Sequence, residues 1–309
     1  MGRSLKNRSI TVVGDVILDE YTHGQKLGIS AETPTVVATF DRTERFVGGA
    51  GLVVRNLLRL GAHVRLLTVG GDDRLIERFL GYSDPITAEE LSRLSYDPLV
   101  GDGWKWTEKR RFYVDSYKMV QYDIINPAPY VPKIQEKIKE AYVRARNETD
   151  AVVVCDNRHG TMMHELIDLV VQKKSRYGGK LFVDSQVSQH GSNHSFYRGA
   201  DMMFLNGKEL DSIPQSRLVA DDLMRKLKVV SNSLQSGVTL KRGEKGSATF
   251  FPSEDYVESP AYPVKAVDTC GAGDAFLAAY AVSEDLGFAN RWAGLSTTYY
   301  GTVVPQQET

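Results

Sequence analysis

Cysteine is nearly missing from this chain: 309 residues carry two, Cys155 and Cys270. Cys155 ends an apolar run and Cys270 sits in a glycine turn, which excludes a secreted disulfide framework and makes a reducing compartment the expectation. Net charge is missing too, since 38 Lys and Arg face 39 Asp and Glu. Without a global field to attract nucleic acid or an anionic membrane, any anion binding must be local. No run approaches the ~20 apolar residues of a membrane span, and Met1 to Arg8 is polar and basic with no apolar leader core. Lys6 stands where a myristoylation motif needs Ser or Thr. A cytoplasmic protein without nucleic-acid or membrane partners is therefore expected, and the sequons at Asn147 and Asn193 are read as chance matches. A Walker A string, internal repeats and low-complexity tracts are also absent.

What the chain does have is a seven-residue string, Asp268-Thr269-Cys270-Gly271-Ala272-Gly273-Asp274, followed by Ala275 to Leu286 without Gly or Pro. A glycine turn that opens into a helix is a local anion site. The first N–H groups of the helix lack intrahelical partners, lie at the positive end of the macrodipole, and are approachable because glycine has no side chain. A carboxylate at Asp274 would repel a phosphate, so it needs another purpose. In a phosphoryl transfer it takes a proton from an alcohol while Gly271, Ala272 and Gly273 hold the developing charge. For a lone G-x-G-D, simple helix capping by Asp is an equal competitor.

Short β-branched runs alternate with helical patterns: Ile10 to Val13 then Ala50 to Leu60, Val64 to Val69 then Asp73 to Leu80, Ala151 to Val154 then Met162 to Lys174. Leu181 to Val183, Met202 to Leu205 and Val238 to Lys241 continue the series. The pattern predicts an α/β fold, a mostly parallel sheet with helices on both faces, as one unit over 1–309. Tyr21 to Asp41 and Trp104 to Ile124 break the alternation and predict strands of a small extra sheet. Ligands gather at the carboxyl ends of parallel strands, which here carry Gly14-Asp15, Gly70-Gly71-Asp72, Asp156, Asp184, Asn206 and Gly243. Asn206 followed by Glu209 is, on pattern alone, better read as a capping box than as a metal site.

The string D-T-x-G-A-G-D resembles the signature of the ribokinase-like (PfkB) carbohydrate kinases. The likeness extends through Val12 to Asp19, Gly48-Gly49-Ala50, Asn56, Leu60-Gly61, Val183-Asp184, Phe204-Leu205-Asn206 with Glu209, Phe288-Ala289-Asn290 and Ala293-Gly294. Within that family it is most similar to the bacterial heptose-7-phosphate kinases. The resemblance implies a ribokinase-like fold whose extra sheet is a β-lid over the sugar, with ATP as phosphoryl donor and Mg²⁺ organised by Asn206 and Glu209. It implies acceptor binding by Asp15, Asp19, Gly48, Gly49 and Asn56, and by Lys109 and Arg111 toward a phosphate already on the sugar. Nucleotide contacts fall to Asn206, Lys241, Gly243, Gly246, Asp268, Thr269 and Asn290. The implied reaction phosphorylates the anomeric hydroxyl of D-glycero-D-manno-heptose 7-phosphate, and any later nucleotidyl transfer is expected from another protein, as the chain ends at Thr309.

Departures from the pattern fall on the acceptor side: Gly51 and Leu52 where Ala and Asn usually stand, Lys118 and Gln121 on the second lid strand, Asn157-Arg158-His159-Gly160 in place of a Tyr-then-Lys-Gly pattern, and no Pro-Lys after Asp184. A different sugar is thus an open alternative. Competing readings are weaker. Gly49-Ala50-Gly51 lacks the third glycine of a nicotinamide fingerprint, with Val54 in its place; His190 and His194 have no third metal ligand; and a catalytically silent sugar-phosphate binder would not retain Asp274. Val36, Ala38, Phe40, Trp106, Phe112 and Val114 on so few lid strands predict a homodimer joined through the lids.

Overall fold

The computed structural model describes residues 7–75, 77, 82, 84–96, 99–100, 103–125, 132–172, 179–188, 191–219 and 222–306. Half of the helix expected over Asp73 to Leu80 falls outside them, as does His190.

The main sheet has nine strands in the order β15 (Tyr256–Ser259), β14 (Ser247–Phe250), β13 (Gly237–Lys241), β12 (Met202–Leu205), β11 (Lys180–Ser185), β10 (Ala151–Asp156), β1 (Ser9–Gly14), β4 (His63–Leu67) and β6 (Leu94–Tyr96). From β13 to β6 neighbours run parallel, while β14 and β15 add antiparallel at the edge. The central strands read as unbroken apolar runs because both of their faces are covered. Alternate side chains go to opposite layers. Val12, Val153, Phe182 and Met202 join helices α1 (Ala50–Arg59), α7 (Ala272–Ser283) and α8 (Leu286–Ser296). Val13, Val154, Val183 and Met203 join α3 (Pro132–Ala145), α4 (His164–Gln172), α5 (Gly207–Ser212) and α6 (Leu223–Leu234) on the other side. The remaining described α-helix, α2 (Ala88–Ser92), closes on a Thr87–Glu90 capping box. Among the described residues no helix is long and apolar enough to cross a membrane.

A second sheet has the order β3 (Val36–Gly49), β2 (Val16–Ile29), β8 (Thr107–Val114), β9 (Tyr117–Ile124). It is larger than the sequence predicts: β2 leaves the main layer directly after Asp15, and β3 returns at Gly49, not near Asp41. The two strands stay paired from Val16–Gly49 out to Ile29–Val36, so the lid is a continuous ribbon rooted in the core. The β8–β9 hairpin turns at Asp115 and Ser116, both with positive φ as a two-residue hairpin turn requires. Trp104 and Trp106 are not lid residues. Both are buried, and the Trp106 indole lies so close over Gly70 that a side chain there would overlap it, with Nε1 donating to Asp72 at 3.1 Å. A small third sheet pairs β5 (Val69–Gly70) with β7 (Leu99–Val100).

Candidate active site

The predicted glycine turn opens helix α7. Gly271 has φ 80°, and a side chain there would overlap Leu52, so conformation and packing both demand glycine. Asp268 holds the turn from below: Oδ1 accepts from the Cys270 amide at 2.9 Å and Oδ2 from the Gly301 amide at 3.1 Å. Thr269 contributes its carbonyl to the Ala272 amide at 3.3 Å, while its side chain is exposed.

Around this turn the ends of three adjacent strands converge. Asp184 is the penultimate residue of β11, Asn206 follows β12, and Lys241 closes β13. The Lys241 ammonium pairs with Asp184 Oδ2 and reaches the turn, where a Cβ on Gly273 would lie 3.2 Å from Nζ. Asp184 holds the Lys241 ammonium, whose charge also acts on the nearby carboxylates of Glu209 and Asp274. Burial, repulsion by Asp184 and smaller contributions from Asp19 and Glu209 push Asp274 up to about 8, against the pull of Lys241. Burial and Asp184 push Glu209 up to about 7. Burial works against the charge on Lys241, but the neighbouring Asp184 and Glu209 prevail and raise its pKa. The cluster thus carries more negative charge than its burial tolerates, beside the positive end of a helix.

Asn206 and Glu209 do form the capping box: Asn206 Oδ1 accepts from the Glu209 amide at 3.0 Å, and Glu209 Oε2 from the Asn206 amide at 2.7 Å. Capping and a place in the acid cluster are combined in one residue. Two other assignments need correction. Asn56, expected at the acceptor, is buried between helices, with Nδ2 donating to Leu52 O at 2.8 Å and Oδ1 accepting from Trp292 Nε1 at 2.8 Å. Asn290, expected at the nucleotide, is also buried and ties α8 to the sheet edge through Ser247 Oγ at 3.0 Å and Ser259 O at 3.2 Å. Both sit in helices pressed against apolar neighbours, where a polar group needs an internal partner. Gly243 begins an open turn with φ 59°, whereas Gly246 passes so close to Ser259 that a side chain would overlap its carbonyl.

At the root of the second sheet Asp15 is buried, and its carboxylate accepts from the amides of Thr161 at 2.9 Å and His159 at 3.1 Å. Asp15 therefore holds the loop after β10. Asp19 pairs with Arg111 across the β2–β8 ladder, and a Cβ on Gly48 would lie 2.6 Å from Asp19 Oδ2. Gly48 makes room for that carboxylate. Gly49 has φ 56°, with the Asp15 carbonyl and Asn157 against it, and caps α1. Arg111 also donates from Nε to Gln121 Oε1 at 3.1 Å and lies over the Tyr21 ring at 4.9 Å from its centre. Lys109, next on the same face, stands 3.9 Å from Asp123. Sequence reasoning noticed Asp184 as one of several strand-end acids but did not pair it with Lys241. Its signal was the succession of adjacent parallel strands, which brings their ends together.

The C-terminal half carries the decisive comparison. Residues 121–308 match the model of the pfkB family of carbohydrate kinases. The chain belongs to this family. A carbohydrate kinase is a phosphotransferase with an alcohol acceptor, and the arrangement around Asp274 is read in that light. The chain is 28% identical over 323 residues to the bifunctional protein HldE of Bradyrhizobium diazoefficiens, covering 98% of this chain and 62% of that protein. It is 27% identical to HldE of Syntrophotalea carbinolica, covering 96% and 61%. The chain thus spans about three-fifths of the length of these relatives. Phosphofructokinase-2 of Escherichia coli shares the fold with a TM-score of 0.74 at 19% identity, covering 96% of this chain and 95% of that one. Ribokinase of Thermotoga maritima does so with a TM-score of 0.70 at 20% identity and 97% coverage of both.

Proposed function

We propose that this kinase transfers the γ-phosphoryl group of ATP to the anomeric hydroxyl of D-glycero-D-manno-heptose 7-phosphate, giving the 1,7-bisphosphate. The observation that carries the reading is Asp274 on the first turn of α7, with a raised pKa and Lys241 alongside. A carboxylate with pKa near 8 is matched to proton transfer from an alcohol near neutral pH. It accepts the hydroxyl proton as the new O–P bond forms and the bond from the γ-phosphorus to the β,γ-bridging oxygen breaks to release ADP, while the turn at 271–273 and the Lys241 ammonium face the charge gathering on the transferred group. Among the described residues no three His, Cys, Asp or Glu converge closely enough to hold a metal ion by themselves. The hard oxygen donors of Asn206 and Glu209, with the Asp184 carboxylate in the same cluster, nonetheless suit Mg²⁺ held through water and the donor's phosphates. When bound, the ion supplies charge neutralisation on those phosphates.

Lys109 and Arg111, on one face of the lid, support a phosphorylated acceptor, as does the resemblance to heptose-7-phosphate kinases. The involvement of Arg111 with Asp19 favours keeping a second sugar or sugar phosphate in view. A screen of sugar phosphates and free sugars for ATP consumption tests both. Preference for an unphosphorylated sugar would overturn the heptose reading and leave the kinase intact. The lid also supports the proposed homodimer: Leu27, Phe40 and Tyr117 are 68%, 71% and 72% exposed, on a sheet that a two-fold copy would cover. Light scattering at micromolar concentration is expected to give twice the 34.4 kDa chain mass; a monomer would rule this out.

A further inference from the structure

Tyr300 packs against the second sheet, and the next residue, Gly301, is bonded to the anion turn. Gly301 donates to Asp268 Oδ2 at 3.1 Å, and Asp268 Oδ1 in turn holds the Cys270 amide at 2.9 Å, directly before the glycines. On the lid side, the Tyr300 ring meets Tyr21 edge-on at 5.8 Å and His23 at 5.7 Å between centres. Its hydroxyl lies 3.3 Å from His23 Nε2, and His23 stacks on Tyr113 at 5.2 Å. Gly301, with φ 78°, rests against the ring of Phe46 on β3. Tyr21 makes the second bridge. The Cys270 thiol lies beside its hydroxyl, and its ring carries the Arg111 guanidinium.

We propose that Tyr300 is a positioning residue that ties lid docking to the geometry of the anion turn. The proposal rests on the kinase reading and deepens it. An acceptor under the lid engages Arg111, Arg111 bears on Tyr21, and the aromatic group that includes His23, Tyr113 and Tyr300 carries the lid's position to Gly301 and Asp268. From there it reaches Cys270 and the N–H groups that face the transferred phosphoryl. These contacts hold the turn near its transfer geometry even without acceptor, an acceptor under the lid strengthens them, and loosening them lets water compete for the phosphoryl group.

The test uses Tyr300→Ala, Tyr300→Phe, His23→Ala and the double variant Tyr300→Ala/His23→Ala in the full chain. Displacing catalytic groups by a fraction of an ångström to 1 Å costs up to about 100-fold. We expect kcat for Tyr300→Ala to fall about 10- to 100-fold, with KM for ATP nearly unchanged and ATP hydrolysis per transfer increased. Because both residues act through one contact, the double variant should lose little beyond Tyr300→Ala. Tyr300→Phe, which keeps the ring, should retain most of the activity. A packing role alone would lower Tm while leaving kcat unchanged, and would overturn the proposal. Hydrogen exchange without acceptor or ATP separates this proposal from the choice of sugar. Tyr300→Ala should speed exchange both in the lid strands and in residues 268–274. Unaltered exchange at 268–274 would overturn the coupling whatever the substrate proves to be.

Discussion

On the turn side Lys241 pairs with Asp184 and is the one cation that also acts on Glu209 and Asp274, while on the lid side Arg111 has Asp19 and Gln121 and Lys109 faces Asp123. In the first, burial and mutual repulsion raise Asp274 and Glu209; in the second, burial still raises Asp19, but Arg111 and Lys109 pull against it and the pairing holds strands together. An unbalanced cluster is suited to take up protons and to respond to a charged ligand, whereas a balanced one presents a prearranged surface. Chemistry is accordingly expected to respond to charge changes on the turn side. Recognition should respond to the lid.

The largest effect that would test this contrast is at Asp274. Asp274→Asn should lower kcat by at least about 100-fold with ATP binding nearly intact, because the amide cannot accept the proton. In the wild type, kcat/KM should climb as pH rises through about 8, where the free enzyme's Asp274 loses its proton. Stability runs the opposite way. The folded pKa is raised from 3.8, so the folded state holds the proton more tightly than the unfolded one; stability is fullest below the unfolded value and falls as pH rises to about 8. Asn removes that cost, so melts at pH 8.5 should show a higher Tm for the variant, with the difference shrinking at pH 5. Turnover above half of wild type would remove Asp274 from the role of base.

The lid side is sharpened by Arg111→Ala. If Arg111 meets a phosphate on the acceptor, KM for the sugar phosphate should rise roughly 10- to 100-fold, as loss of a charge-assisted hydrogen bond of about 1.5 to 3 kcal/mol implies, with KM for ATP unchanged. The same change strips the buried Asp19 of its partner and should lower Tm. Lys109→Ala leaves the Asp19–Arg111 pair in place and separates the two consequences. A lower Tm for Arg111→Ala with no change in KM would make these cations braces of the lid alone.

The contrast also explains what could be read from the sequence. The alternating runs revealed the parallel sheet because burial on both faces forces apolar strands, and the turn was legible because glycine spacing and a helix start are local. The reach of the lid was not. Its ribbon from Val16 to Gly49 joins residues far apart in the chain, and β2 mixes a buried root, Val16 to Asp19, with an exposed tip at Gln25 to Lys26. Asn56 and Asn290 misled for a related reason: a single polar residue in a helix has the same appearance whether it faces a ligand or a buried indole such as Trp292. The pairing of Lys241 with Asp184 depends on strand order, which no local pattern records.

The smallest expected effect is at Glu209, where capping and charge coincide. Glutamine closes a capping box as glutamate does, so Glu209→Gln should leave the Asn206–Glu209 backbone contacts, and the Tm at pH 5, close to wild type while removing one potential negative charge from the cluster. If that charge helps hold Mg²⁺, the concentration needed for half-maximal rate should rise, with kcat recovering at saturating Mg²⁺. The lower limb of the pH profile should also move toward lower pH, because Glu209 is among the charges that raise Asp274. Glu209→Ala breaks both functions and should lower Tm by the loss of the cap as well. Should Glu209→Gln match wild type in Mg²⁺ requirement and pH profile while Glu209→Ala only melts earlier, Glu209 is a cap, and the unbalanced charge on the turn side belongs to Asp184 and Asp274 alone.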